Sequence, residues 1–313
     1  VIMAVSLNLT VGMLGELSLG HAGFMSVGAF SGTLVYVVMS ENAPQPLALL
    51  LAFVVGGAVA GLFGVLVGIP VLRLSGDYLA IVTLAFGEIV KNVMNACYLG
   101  VDSHGLHFSL KDSASLNLEV DGKVLINGAM GITGIKKAST FTIGIVLVII
   151  TLLVILNLVN SRAGRAIKAI RDNEIAAESC GIQTTYYKVM AFAFSAAFAG
   201  LAGGLYACYL GVLDPSTFGF MKSIEILVMV VLGGMGSMLG SILSATVLTI
   251  LPEATRSFDS YRMVVYSLVL VLMMIFRPGG LLGSYDFSMS RIVEKIMNGE
   301  LFQKKAKEGK DHE

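Results

Sequence analysis

Glu88, Lys91, His21 and Glu16 are the titratable side chains that interrupt or adjoin otherwise apolar stretches, and they bound what chemistry the chain could attempt. A charge inside hydrocarbon costs several kcal/mol unless it is paired or faces a cavity. Glu88 and Lys91 lie three residues apart, so a helix puts them on one face, where they neutralise each other as a link between helices. Two other readings give Glu88 a function: a group on a transport path, or one that titrates during ion-coupled transport. With His21 it is also a candidate general base for a membrane enzyme acting on lipid. The stretch Gly15, Glu16, Leu17, Ser18, Leu19, Gly20, His21, Ala22, Gly23 mixes polar groups with glycines directly after an apolar segment. It reads either as a turn at the cytoplasmic surface or as a broken helix lining a path, since non-helical backbone at membrane depth survives only against protein or a water-filled cavity.

Signatures of other chemistries are missing. There is no HExxH, no aspartate-rich pair for a diphosphate metal site and no GxxxxGK[ST] phosphate loop. The glycine run Gly233, Gly234, Met235, Gly236 has the wrong spacing for a dinucleotide loop and sits in a continuous apolar stretch. The cysteines Cys97, Cys180 and Cys208 are odd in number and far apart, which indicates neither a disulfide framework nor a zinc site. With 21 basic residues against 21 acidic ones, no global field attracts nucleic acid.

The elements that must hold these residues are set by hydropathy. Of 313 residues, 56% are hydrophobic and only 13% charged, which excludes an ordinary water-soluble globule. A helix crosses a bilayer with about 20 apolar residues. Residues 17–40, 43–72, 138–161, 189–213 and 226–252 form such runs, 78–98 is apolar apart from Glu88 and Lys91, and 1–14 and 263–276 are shorter. The expected fold is therefore an all-α polytopic membrane protein with about eight hydrophobic elements. Val1 opens the chain within an apolar run, so an upstream part, with room for a further span, is expected. Residues 1–283 form the membrane domain and 284–313 a polar tail on the cytoplasmic side. Parity between the basic segments on either side of 222–252 requires that run to break into two passes or a re-entrant hairpin, and Gly233, Gly234, Gly236 and Gly240 supply the weak point.

The segment 161–187 contains Arg162, Arg165, Lys168 and Arg171 in a short connection, which places it in the cytoplasm; counting spans backwards puts the loop 100–137 outside. Ser161 is a plausible N-cap, Ile167 and Ile170 share one side, and Gly181 is a plausible stop, so one short amphipathic helix is expected. Ordered ends and the small residues Ala176 and Ala177 suit docking against another protein better than they suit a solvated loop.

The chain resembles the permeases of the ATP-binding-cassette importers for branched-chain amino acids. The resemblance rests on GELSLGHAGFMSVGAF from Gly15, DYLAIVTLAFGEIVKNV from Asp77, SRAGRAIKAIRDNEIAAESCGI from Ser161, VLGGMGSMLGS from Val231 and FRPGGLLG from Phe276. It implies a bacterial inner-membrane subunit that is not itself an enzyme, partnered by a second permease, two ATPase subunits that hold ATP-Mg, and an extracytoplasmic substrate-binding protein. It also implies a coupling role for Arg162, Arg165, Lys168, Arg171, Asp172, Glu174, Ala176, Ala177 and Gly181, with Glu174, Ala176 and Ala177 near the tip. The translocation path is expected along Glu16, Ser18, His21, Thr83, Glu88, Gly233, Gly234 and Gly236. The loop after Gly100 departs from the Thr-Gly-Gly-rich stretch of relatives, and urea, amide or simple-sugar permeases of the same superfamily are the alternative.

Overall fold

The structure is a computed structural model that describes residues 1–40, 44–74, 76–102, 105–111, 116, 123–254, 267, 268, 271, 275, 276, 280 and 281. Among the described residues, four helices are long and apolar enough to cross a bilayer: α2 (His21–Met39), α3 (Gln45–Val71), α5 (Phe141–Asn160) and α8 (Thr184–Leu210). They are joined by α1 (Ile2–Asn8), which continues as a π-helical turn over Leu9–Leu14, by α4 (Asp77–Asn95), and by the pair α9 (Phe220–Gly233) and α10 (Met238–Ala254). The tail 284–313 lies outside the described residues, as does most of 263–276.

Glycine sets the packing at the centre. Helices α2, α3 and α8 cross where Gly28, Gly32, Gly56 and Gly200 meet; a β-carbon on Gly28 would overlap the backbone of Gly200, and one on Gly200 would overlap Gly56 and Ala60. In an apolar solvent the hydrophobic effect does not hold helices together, so close backbone approach and dispersion must. Successive contacts pair Phe53 with Gly204, Gly57 with Leu201 and Gly68 with Phe192, which makes α3 and α8 antiparallel. Phe24 packs edge-on against Phe192 while Gly28 faces Gly200, so α2 runs parallel to α8.

The bundle has two distinct ends. At one end α5 leads into α6 (Arg162–Asp172) and α7 (Glu174–Ser179); this is the basic end. At the other, the segment expected as an open external loop folds instead into an antiparallel sheet of β1 (Tyr98–Asp102), β2 (Gly105–Ser109) and β3 (Lys123–Asn127), in the order β2-β1-β3. A second pairing, of β4 (Ile132–Thr133) with β5 (Val212–Leu213), fastens this loop to the end of α8. The fold is thus helical with a small β-cap rather than helical throughout. Buried Leu125, Ile126, Ile132 and Leu213 give the cap the apolar face that any sheet needs, a pattern too short to stand out in the sequence.

The run 222–252 does break. Helix α9 ends at Gly233, Gly234 and Gly236 adopt φ of 104° and 91°, and α10 starts at Met238 to form an antiparallel hairpin. With 14 residues, α9 reaches about 21 Å at 1.5 Å per residue, short of a 30 Å hydrocarbon core.

Candidate functional site: two hairpin turns above a basic helix pair

The stretch 15–23 is a break in the helix rather than a continuation. After the π-helical turn, Gly15 takes φ 82°, residues 15–20 are non-helical, and α2 begins at His21 inside the bundle. Phe24 lies against Phe192, roughly 12 Å along α8 from its start at Thr184. A buried helix start must find partners for its free N–H groups. The Ala22 N–H donates to Ser223 Oγ at 3.2 Å, and the Leu19 N–H just before the helix donates to Thr83 Oγ1 at 3.1 Å. His21, 2% exposed, places Nε2 2.9 Å from Ser6 Oγ. The same hydroxyl lies 3.0 Å from the Met3 carbonyl, so the Ser6 side chain links the imidazole to the backbone of α1. Ser18 Oγ, beside this start, is buried with no protein partner. Ser18, His21 and Thr83 therefore gather at one place.

Glu88 stands at the start of a different helix. Its Oε1 accepts the Phe220 N–H at 3.0 Å and its other oxygen pairs with Lys91, so it caps α9 and is neutralised on its own helical turn. Both the negative charge at a helix N-terminus and the i,i+3 pair are structural uses of a carboxylate. Gly233, Gly234 and Gly236 lie apart from Glu88, at the far end of α9. There the Gly236 N–H donates to Asn8 Oδ1 at 3.0 Å, and a β-carbon on Gly12 would collide with the Gly236 backbone. The two hairpin turns, 15–20 and 234–237, thus close side by side at the basic end.

Beneath them sits the basic segment, as two helices rather than the expected one. Asn173 leaves the helical region at φ −161°, ψ 108°, and its Oδ1 accepts the Ala176 N–H at 3.0 Å, so it ends α6 and caps α7. Asn competes for backbone partners in this way wherever a helix is marginal, and the run of helix formers around it masks the break in the sequence. Ser161 caps α6 through the Gly164 N–H at 3.2 Å. Gly181, at φ 82°, terminates α7: its N–H bonds to Glu178 and that of Ile182 to Ala177, the paired bonds of a Schellman motif. Ile167, Ile170 and Ala177 are buried against the bundle, whereas Arg162, Arg165, Asp172, Ala176 and Ile175 face outward, Ile175 being 79% exposed. Lys168 is half-buried.

Arg171 and Lys188 tie this segment to the turns. Arg171 Nη1 donates to the Gly12 carbonyl at 3.1 Å while its Nη2 pairs with Asp172 at 3.0 Å. Lys188, on the first turns of α8, places Nζ 2.9 Å from Glu16 Oε1 and 2.8 Å from Glu174 Oε2. Its side chain is only 4% exposed. A lone lysine entering an apolar run is the signal the sequence offers for it. Among the described residues no group of three or more His, Cys, Asp and Glu is placed to hold a metal ion.

The family model for the branched-chain amino acid transport system permease component matches residues 1–276. The high-affinity branched-chain amino acid transport system permease protein LivM of Salmonella typhimurium is 37% identical over 96% of this chain and 70% of its own length. LivM of Escherichia coli K12 is likewise 37% identical, and BraD of Pseudomonas aeruginosa is 26% identical over 90% of this chain and 91% of its own length. No solved structure matches. Family match and apolar helices agree: the chain belongs to the branched-chain amino acid permease family of ATP-binding-cassette transporters, multi-pass membrane transport subunits rather than enzymes.

Proposed function

We propose that the chain is the permease subunit of a bacterial inner-membrane importer for branched-chain amino acids, working with a second permease, two ATPase subunits that bind ATP-Mg, and an extracytoplasmic binding protein. About eight spans form its membrane domain over residues 1–283. The basic end and the tail 284–313 face the cytoplasm, and the β-cap faces the binding protein. The path runs past Glu16, Ser18, His21, Thr83 and Glu88 to the turn at Gly233, Gly234 and Gly236. Ser18 contributes the free buried hydroxyl, and α2 contributes a helix start inside the bundle, an arrangement suited to the polar end of an amino acid. Arg162, Arg165, Lys168, Arg171, Asp172, Glu174, Ala176, Ala177 and Gly181 belong to the element that seats on an ATPase.

The observation that carries this reading is α6–α7: a doubly capped, basic helix pair lying under both broken hairpins, with Ile175 and Ala176 presented outward. A solvated loop has no use for capped ends or an outward-facing isoleucine. Purification of the tagged chain from its native membrane is expected to recover a second permease and two nucleotide-binding subunits. The reconstituted complex is expected to take up leucine, isoleucine or valine from its binding protein only with ATP. Recovery of the chain alone, or uptake driven by a proton or sodium gradient without ATP, would overturn the reading. Uptake of urea or a sugar in place of these amino acids would reassign the substrate.

A further inference from the structure

We infer that Lys188 is the joint through which movement of α6–α7 reaches the 15–20 turn, acting as a positioning residue for transport. This rests on the permease reading above. One ammonium is shared by carboxylates from two separate segments: Glu16 in the non-helical turn and Glu174 at the first position of α7. Their exposures differ in the direction a joint needs. Lys188 and Glu16 are 4% and 13% exposed, so their pair belongs to the interior, whereas Glu174 is 46% exposed on the surface that faces outward. Among the described residues no other cation pairs with either carboxylate; Arg171, the neighbouring cation, is engaged by Asp172 and the Gly12 carbonyl.

Separating a buried ion pair leaves an uncompensated charge, so elements joined by one move together before they part. Displacing α7 therefore drags Lys188 or releases its outer arm, and in both cases the balance at Glu16 changes. Arg171 grips the same stretch of chain at Gly12, just before the turn. The α6–α7 pair thus holds the 9–20 segment at two points, one through a backbone carbonyl and one through Lys188. A buried lysine that merely neutralised Glu16 would need no partner on α7.

The test uses the complete reconstituted importer with its binding protein, leucine as substrate, and two simultaneous readouts, ATP hydrolysed and leucine accumulated. Lys188→Met is expected to lower leucine carried per ATP by about tenfold or more, within the range of coupling between linked sites. Lys188→Arg, which keeps both arms, stays near the parent ratio. Glu174→Gln removes only the half-exposed arm, and it is expected to lower the ratio without loss of assembled complex. A parent ratio in assembled Lys188→Met complex, or in Glu174→Gln when Lys188→Met fails to assemble, would overturn the joint and leave the permease reading standing. Failure of the parent chain to co-purify with ATPase subunits would instead remove the permease reading itself.

Discussion

Lys91 and Lys188 both sit beside carboxylates within apolar helices, and their neighbourhoods have little else in common. Lys91 pairs with Glu88 one turn away on α4, at 24% and 31% exposure, and the carboxylate also caps α9. Lys188 pairs with residues 172 and 14 positions away in sequence and is all but sealed from solvent. The first pair stabilises one helix and one junction. The second joins three segments: the broken turn, α7 and the base of α8. Local spacing therefore identifies charges that neutralise themselves, while charges that link distant segments are invisible until the fold brings them together.

The largest effect that would sharpen this contrast is on stability. Lys188→Met leaves Glu16 buried without its cation and is expected to cost about 3–5 kcal/mol, read as a lowered thermal midpoint of the purified complex. Adding Glu16→Gln to that variant removes the orphaned charge and is expected to restore roughly 1–3 kcal/mol. A double variant no more stable than the single one would mean the pair is not the source of the loss. Glu88→Gln keeps an oxygen for the Phe220 N–H and loses only a partly exposed pair, so about 1 kcal/mol or less is expected; a cost equal to that of Lys188→Met would erase the comparison. Smallest of all, Glu225→Gln releases the exposed i,i+3 partner Lys222 and should change the midpoint by a few tenths of a kcal/mol, screened further by added salt.

Much of the architecture was legible because hydropathy acts over whole spans. Four of the expected runs appear as long apolar helices, and the glycines at 233–236 broke the helix where parity demanded it. Ser161 and Gly181 announced their caps because capping needs particular residue types at fixed positions. The β-cap was hidden, since its strands of two to five residues carry no usable periodicity. Asn173 was hidden by strong helix formers on both sides. Lys188, Asn8 and Ser223 were hidden for a different reason: each matters through a partner more than a hundred positions away, and a single sequence holds no record of such proximity.

The crossing of α2, α3 and α8 carries a mechanical consequence. Where Gly28, Gly56 and Gly200 touch backbone to backbone, sliding one helix past another would bring bulkier neighbours into the gap, and no small rotation relieves it. These three helices form a stator. Around it lie the π-helical end of α1 and the α9–α10 hairpin, which meet at Gly12 and Gly236. Alternating access in this chain would then resemble a pair of hinged shutters closing against a fixed frame, with the frame's stiffness written in the smallest side chain available.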